Sequence, residues 1–246
     1  MSSPNDSNSK SPFKDKALLI ASIKAYLTRN NAVFVSQGSR ISEFFEMCCF
    51  NDVVEFYRQQ GFSVLPKQLG KSGEFVYKLK PNGSHENFSY FEIEKTIKGN
   101  PWKFQVHHNL PLECVHEPGI FYVSDIAVVT AGAVKRENVA VYSQKRSYCP
   151  ASAVQTFFEV KHMAPFPELL FSFTGIILNF LVESVRADKP THIAPAVLIS
   201  GNLNTHTEKI STFVSTKYRG NVIASLFCRP SSIYSKRYSK QTIGSL

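Results

Sequence analysis

Phe157-Phe158-Glu159-Val160-Lys161 sets a carboxylate and an ammonium on alternate residues of an apolar, β-prone run. Side chains in a strand repeat every second residue, so Glu159 and Lys161 point to one face and Val160 to the other. Upstream, Phe121-Tyr122-Val123-Ser124-Asp125-Ile126-Ala127-Val128-Val129 carries a second carboxylate inside another β-branched run. Charges are costly to bury unpaired, so two acids and a lysine on core strands need a partner, and a divalent cation is the obvious one.

The remaining chain sets the bounds. Its 246 residues are 43% hydrophobic and 19% charged, which is ordinary for a globular protein and ample for a full core. A net charge of +9 and a pI near 9.3 favour a polyanionic partner. Cys48, Cys49, Cys114, Cys149 and Cys228 form an odd set without C-x-x-C spacing. That argues against a disulfide framework or a structural zinc site and for a reducing compartment. The longest uncharged apolar stretch, residues 169–182, is too short to span a bilayer and predicts a buried helix. The polar opening residues carry no signal segment, so a cytoplasmic protein that avoids membranes is expected.

The predicted organisation is a disordered leader over 1–11, a single α/β domain over 12–228 and a basic tail over 229–246. Within the domain, helices are expected at 17–28 and 40–60, the second capped by Ser39 or Ser42 and ended by Gly61. A short strand at 32–35 lies between them. Strands follow at 62–65, 74–79, 87–93, 102–108 and 121–129. Residues 130–152 predict an exposed, basic insertion around a short strand at 139–142. Then come the strand 156–161, a helix over 168–186 with Pro167 at its start, a buried strand at 196–201, a helix at 207–218 and a last strand at 221–227. The predicted fold class is therefore α/β, a central mixed sheet with helices on its faces.

Asp125 in Ser-Asp-Ile-Ala-Val-Val and Glu159-Val160-Lys161 in Phe-Phe-Glu-Val-Lys-His, in this order of elements, resemble the restriction-endonuclease-like PD-(D/E)xK nuclease superfamily. The resemblance covers roughly residues 39–200 and implies that family's core. A glutamate-bearing helix comes first, with Glu46 (or Glu43) as its acid, then one strand with the Asp, the next with the acid-x-Lys, and a helix behind. Ser124 stands where the family often has Pro. The interval from Asp125 to Glu159 is long for neighbouring strands and requires 130–152 to loop out.

The resemblance implies a Mg²⁺- or Mn²⁺-dependent nuclease acting on nucleic acid, with DNA the expected substrate, and often a homodimer. Asp125 and Glu159 would hold the ion, Glu46 would complete its shell, and Lys161 would orient a water or offset developing charge. Lys135, Arg136, Lys145 and Arg146 would contact backbone phosphates. The alternative is a nuclease-like fold without catalysis, serving as a nucleic-acid-binding or protein-interaction module. Taken without this context, Glu159 and Lys161 are an ordinary charge pair on a strand and Asp125 a turn cap.

Other chemistries are less well supplied. His107, His108, Cys114 and His116 match no standard zinc spacing, and adjacent strand histidines face opposite sides. A place for His107 or His108 near the rim of the site, touching phosphate, is favoured over a zinc site. No G-x-S-x-G elbow and no Gly-rich phosphate loop with a lysine occur.

Overall fold

The computed structural model describes residues 41–139, 145–180 and 192–226. The expected leader, the helix at 17–28, the strand at 32–35, Ser39, Cys228 and the basic tail lie outside these residues.

The chain begins with α1 (Ile41–Gln59), then β1 (Ser63–Lys67), β2 (Tyr90–Ile97), β3 (Asn100–Glu113) and β4 (Phe121–Thr130). A small hairpin, β5 (Lys135–Asn138) and β6 (Lys145–Tyr148), precedes β7 (Val154–Lys161). After it come α2 (Pro167–Phe180), β8 (Ala196–Ile199), α3 (Thr205–Tyr218) and β9 (Asn221–Ile223). The main sheet has seven strands in the order β1-β2-β3-β4-β7-β8-β9. Its first five strands are antiparallel neighbours, while β7, β8 and β9 run parallel. The α/β class and the mixed sheet are as expected.

Alternation along the strands builds two cores. Ile126, Val128, Phe158 and Val160 face α1, which buries Met47, Phe50, Val53 and Tyr57 against them. Ala127, Val129, Phe157 and Val197 face the other way, toward Leu170, Phe173 and Ile177 of α2 and Val214 of α3. Phe157 and Phe158 are fully buried on opposite faces, each contributing about 1.5–3 kcal/mol. Ser42 lies inside α1 rather than capping it. Gly61 ends that helix at φ 82, and Asn204 caps α3 through a reciprocal pair with Thr207.

Two strand predictions change. Residues 74–79 are extended but form no ladder; Val76 instead exchanges hydrogen bonds with Ser89, through its N–H to Ser89 Oγ and its carbonyl from Ser89 N–H, each at 2.9 Å. In the same segment the Lys78 side chain turns inward, where alternation would have sent it to solvent. The expected strand at 139–142 falls largely outside the described residues, and Val139 lies in no strand. Its flanks pair instead, Lys135 opposite Tyr148 through Asn138 opposite Lys145.

Gly201, just past β8, shows how closely this end of the sheet is packed. A Cβ there would stand 2.6 Å from the Met163 carbonyl oxygen and 2.8 Å from Ala164 Cα. Both are main-chain atoms and cannot swing aside. Gly201→Ala is therefore expected to destabilise the protein by about 1–3 kcal/mol, seen as a lower urea midpoint; an unchanged midpoint would contradict this packing.

Candidate active site

Asp125 and Glu159 stand on neighbouring strands despite the long interval between them. The β4–β7 register pairs Ile126 with Phe158, and one further step sets Asp125 across from Glu159. Backbone pairing with β4 stops there, while β7 continues beside β8 as far as Lys161 opposite Ile199. The strands part at this point, and side chains take over the main-chain groups left behind. Val160 N–H donates to Asp125 Oδ2 at 2.7 Å, and the Ser124 hydroxyl stands between the Ile126 carbonyl at 2.7 Å and the Phe158 carbonyl at 3.2 Å. Such groups must find partners when they are removed from water. Here the parting strands fix the Asp125 carboxylate in one orientation.

Lys161 joins the two acids, its Nζ 3.2 Å from Asp125 Oδ2 and 2.8 Å from Glu159 Oε2. Glu159 and Lys161 thus share a face, as their spacing predicts. Side-chain exposure is 18% for Asp125, 10% for Glu159 and 32% for Lys161. Burial raises the pKa of both carboxyl groups, and the Glu46 charge adds to the rise while Lys161 opposes it. Burial alone would lower the Lys161 ammonium, but its two carboxylates outweigh that and hold it above its ordinary value.

Glu46 reaches the same region from α1. Its Oε1 accepts a hydrogen bond from Asn109 Nδ2 at 2.5 Å and lies 2.7 Å from His108 Nε2, a close contact without hydrogen-bond alignment. His107 and His108 do face opposite sides, but neither is on a rim. His108 is sealed beneath Phe50 and Tyr77, and His107 stacks on Tyr90 with ring centroids 4.7 Å apart. A phosphate-touching place at the rim, favoured over zinc for one of these histidines, is therefore corrected: both lie on β3 where it is covered on each face. His116 and Cys114 stand apart from them, against the end of α2 at Leu178 and Asn179.

The four candidate phosphate contacts, Lys135, Arg136, Lys145 and Arg146, are exposed on the β5–β6 hairpin. Arg136 pairs with Glu86, and Lys135 lies 3.9 Å from Glu137. Ser147 on the same hairpin accepts from the His85 N–H at 3.2 Å, and His85 Nε2 is 3.1 Å from the Asn109 carbonyl. The hairpin is thus linked through two residues to Glu46. Asn109 went unnoticed in the sequence. An asparagine two residues before Pro111, inside a long β run, was the available signal of a break.

Among the described residues, no three His, Cys, Asp or Glu side chains stand close enough to form a ready-made metal cage. Two carboxylates nevertheless suit a hard divalent cation such as Mg²⁺, which commonly takes one or two and keeps water for the rest. Glu159 Oε1 is the telling atom, buried with no hydrogen-bond donor among the described residues. Cys48, Cys49, Cys114 and Cys149 form no disulfide. Burial pushes the Cys149 thiol up to about 12 and raises Cys48 and Cys49 as well, which suits packing rather than ligation. No described helix is long and apolar enough to cross a membrane. No family model matches the chain, and no curated protein matches it in sequence.

Proposed function

We propose that the protein is a Mg²⁺- or Mn²⁺-dependent nuclease that hydrolyses phosphodiester bonds of DNA, built on a restriction-endonuclease-like core. The observation that carries this reading is the junction of Asp125, Glu159 and Lys161 where β4 and β7 part. The order around it agrees: a helix with Glu46, the Asp strand, the acid-x-Lys strand paired beside it, then the helix α2.

Asp125 and Glu159 would hold the cation through carboxylate oxygens, with Glu46 facing it from α1. The bound cation would polarise a phosphoryl oxygen and make a water more acidic. Lys161 keeps both carboxylates in place with two of its donors. Its third N–H has no partner among the described residues and would donate to the attacking water or to a phosphate oxygen as negative charge develops. The Val160 N–H and the Lys161 ammonium fix where Asp125 points, so the acid is oriented before substrate arrives.

The β5–β6 hairpin would lie along the nucleic-acid backbone. Replacing Lys135, Arg136, Lys145 and Arg146 together by glutamine is expected to weaken DNA binding. It should also flatten the dependence of log affinity on log salt by about 0.9 for each phosphate no longer neutralised. An unchanged slope, measured by fluorescence anisotropy, would remove the hairpin from the interface.

The reading is tested by incubating supercoiled and linear DNA with the protein in Mg²⁺ or Mn²⁺ and again in EDTA. Cleavage that stops in EDTA and in Asp125→Ala supports it. Salt-dependent DNA binding with neither cleavage nor metal uptake would favour the catalytically inactive module instead.

A further inference from the structure

The β3–β4 ladder keeps one register along its length and skips one step. His108 pairs with Ile126 and Leu110 with Ser124, so the omitted step sets Asn109 across from Asp125. There Asn109 adopts φ 49, a left-handed conformation that asparagine tolerates better than most residues. The alternation of β3 reverses as a result. Val106 packs with the α1 core, whereas Leu110 and Leu112 join the α2 core.

The reversal turns the Asn109 side chain to Glu46. Nδ2 donates to Glu46 Oε1 at 2.5 Å and to the Lys78 carbonyl at 2.8 Å. Behind it, the buried Lys78 Nζ donates to the Asn109 carbonyl at 2.8 Å, and to the carbonyls of Lys80 at 3.0 Å and Pro81 at 2.9 Å. All three ammonium donors are spent on main chain. A buried ammonium is expensive unless it is fully bonded and faces a counter-charge. Burial lowers the Lys78 pKa to about 8, and the Glu46 carboxylate opposes that fall.

We propose that Asn109 is a positioning residue for Glu46: its carboxamide, fixed at the skipped step of the ladder and held from behind by the Lys78 ammonium, turns the Glu46 carboxylate toward Asp125 and Glu159. The inference rests on reading Asp125 and Glu159 as the cation site, with Glu46 facing it from α1. It assigns Asn109 no contact with substrate. The carboxamide acts only through Glu46, so its effect on the cation must vanish when Glu46 is gone.

That coupling is measurable without any cleavage assay. Mn²⁺ binding is followed by calorimetry on the full chain for wild type, Asn109→Gly, Glu46→Ala and the double variant, with thermal melts alongside. Glycine keeps the left-handed backbone and deletes only the carboxamide. Asn109→Gly is expected to weaken Mn²⁺ binding about tenfold, as loss of a residue behind a ligand commonly does. Adding it to Glu46→Ala should then change nothing further. A lower melting temperature with unchanged Mn²⁺ affinity overturns the proposal, and so does an equal weakening in both backgrounds. Asn109→Ser, whose hydroxyl is too short to bridge Glu46 and the Lys78 carbonyl, serves for the same cycle if the glycine variant does not fold. Wild-type protein that takes up no Mn²⁺ brings down the cation-site reading and the proposal together. Uptake abolished by Asp125→Asn but untouched by Asn109→Gly brings down the proposal alone.

Discussion

Lys161→Ala is expected to slow Mg²⁺-dependent cleavage of DNA by a factor on the order of 10²–10³ while leaving DNA affinity nearly unchanged. The size follows from where the ammonium sits. Among the described residues it is the one cation touching both Asp125 and Glu159, and its remaining donor is the group available to a water or phosphate oxygen. Alanine would leave two largely buried carboxylates side by side with no ammonium between them. Their pKa values, already raised by burial, would rise further through mutual repulsion, so protons would compete with the metal for the same oxygens. Part of the loss should therefore be recovered by raising the pH or the Mg²⁺ concentration. The part that reflects the missing donor should not. Lys161→Arg keeps the charge but replaces a compact ammonium by a planar fork, and is expected to restore binding of the acids more than the rate. Single-turnover rates set against binding isotherms separate these effects. A Lys161→Ala protein that cuts within about twofold of wild type would remove the residue from the chemistry, since a missing donor of this kind costs far more.

The second large effect is acid unfolding with a midpoint between about pH 4 and 5. His85, His107 and His192 are buried, and burial lowers their pKa values from 6.5 to about 2, 3 and 3. For His85 the neighbouring His107 and Lys78 add to the effect. Below pH 6.5 the unfolded chain binds protons that the folded chain refuses. The stability these groups contribute is thus fully present above 6.5 and is lost as the pH falls. Two pH units below that value, each costs about 2–3 kcal/mol, and the three together rival the total stability of an ordinary domain. Asp125 and Glu159 act in the opposite sense. Their raised folded pKa values contribute stability at low pH that is lost as the pH rises through them, so they offset part of the histidine effect. Far-UV circular dichroism against pH gives the midpoint, and His107→Gln should shift it toward acid. Retention of the native spectrum at about pH 3 would show that these rings accept protons in the folded state.

How much of this was legible in the sequence differs by layer. Phe157-Phe158 and Ile126-Ala127-Val128-Val129 alternate cleanly, which is why both cores and the positions of β4 and β7 could be read directly. Whether β4 and β7 were neighbours could not, because alternation fixes the face of a residue and says nothing about its partner strand. The intervening hairpin resolves the long interval by packing its base on β3, where Cys149 bridges Leu112. Lys78 and Asn109 broke the rules that sequence reading depends on. A lysine in an extended run reads as solvent-facing, and an asparagine between His108 and Leu110 reads as one more strand residue. Their real positions are set by carbonyls and a carboxylate from distant segments, which no local pattern encodes. Such local inconsistencies gather at functional or strained sites, and here both flank Glu46.

In the proposed nuclease, Asp125 and Glu159 would form a divalent-cation site with Lys161 beside it. Crystals of the wild-type protein soaked in Mn²⁺ and studied by anomalous diffraction test it most directly. An ion held by the Asp125 and Glu159 carboxylates is the expected result, as is its loss in Asp125→Asn. Mn²⁺ bound elsewhere, with Lys161 still bridging two metal-free carboxylates in protein that cleaves DNA, would contradict it.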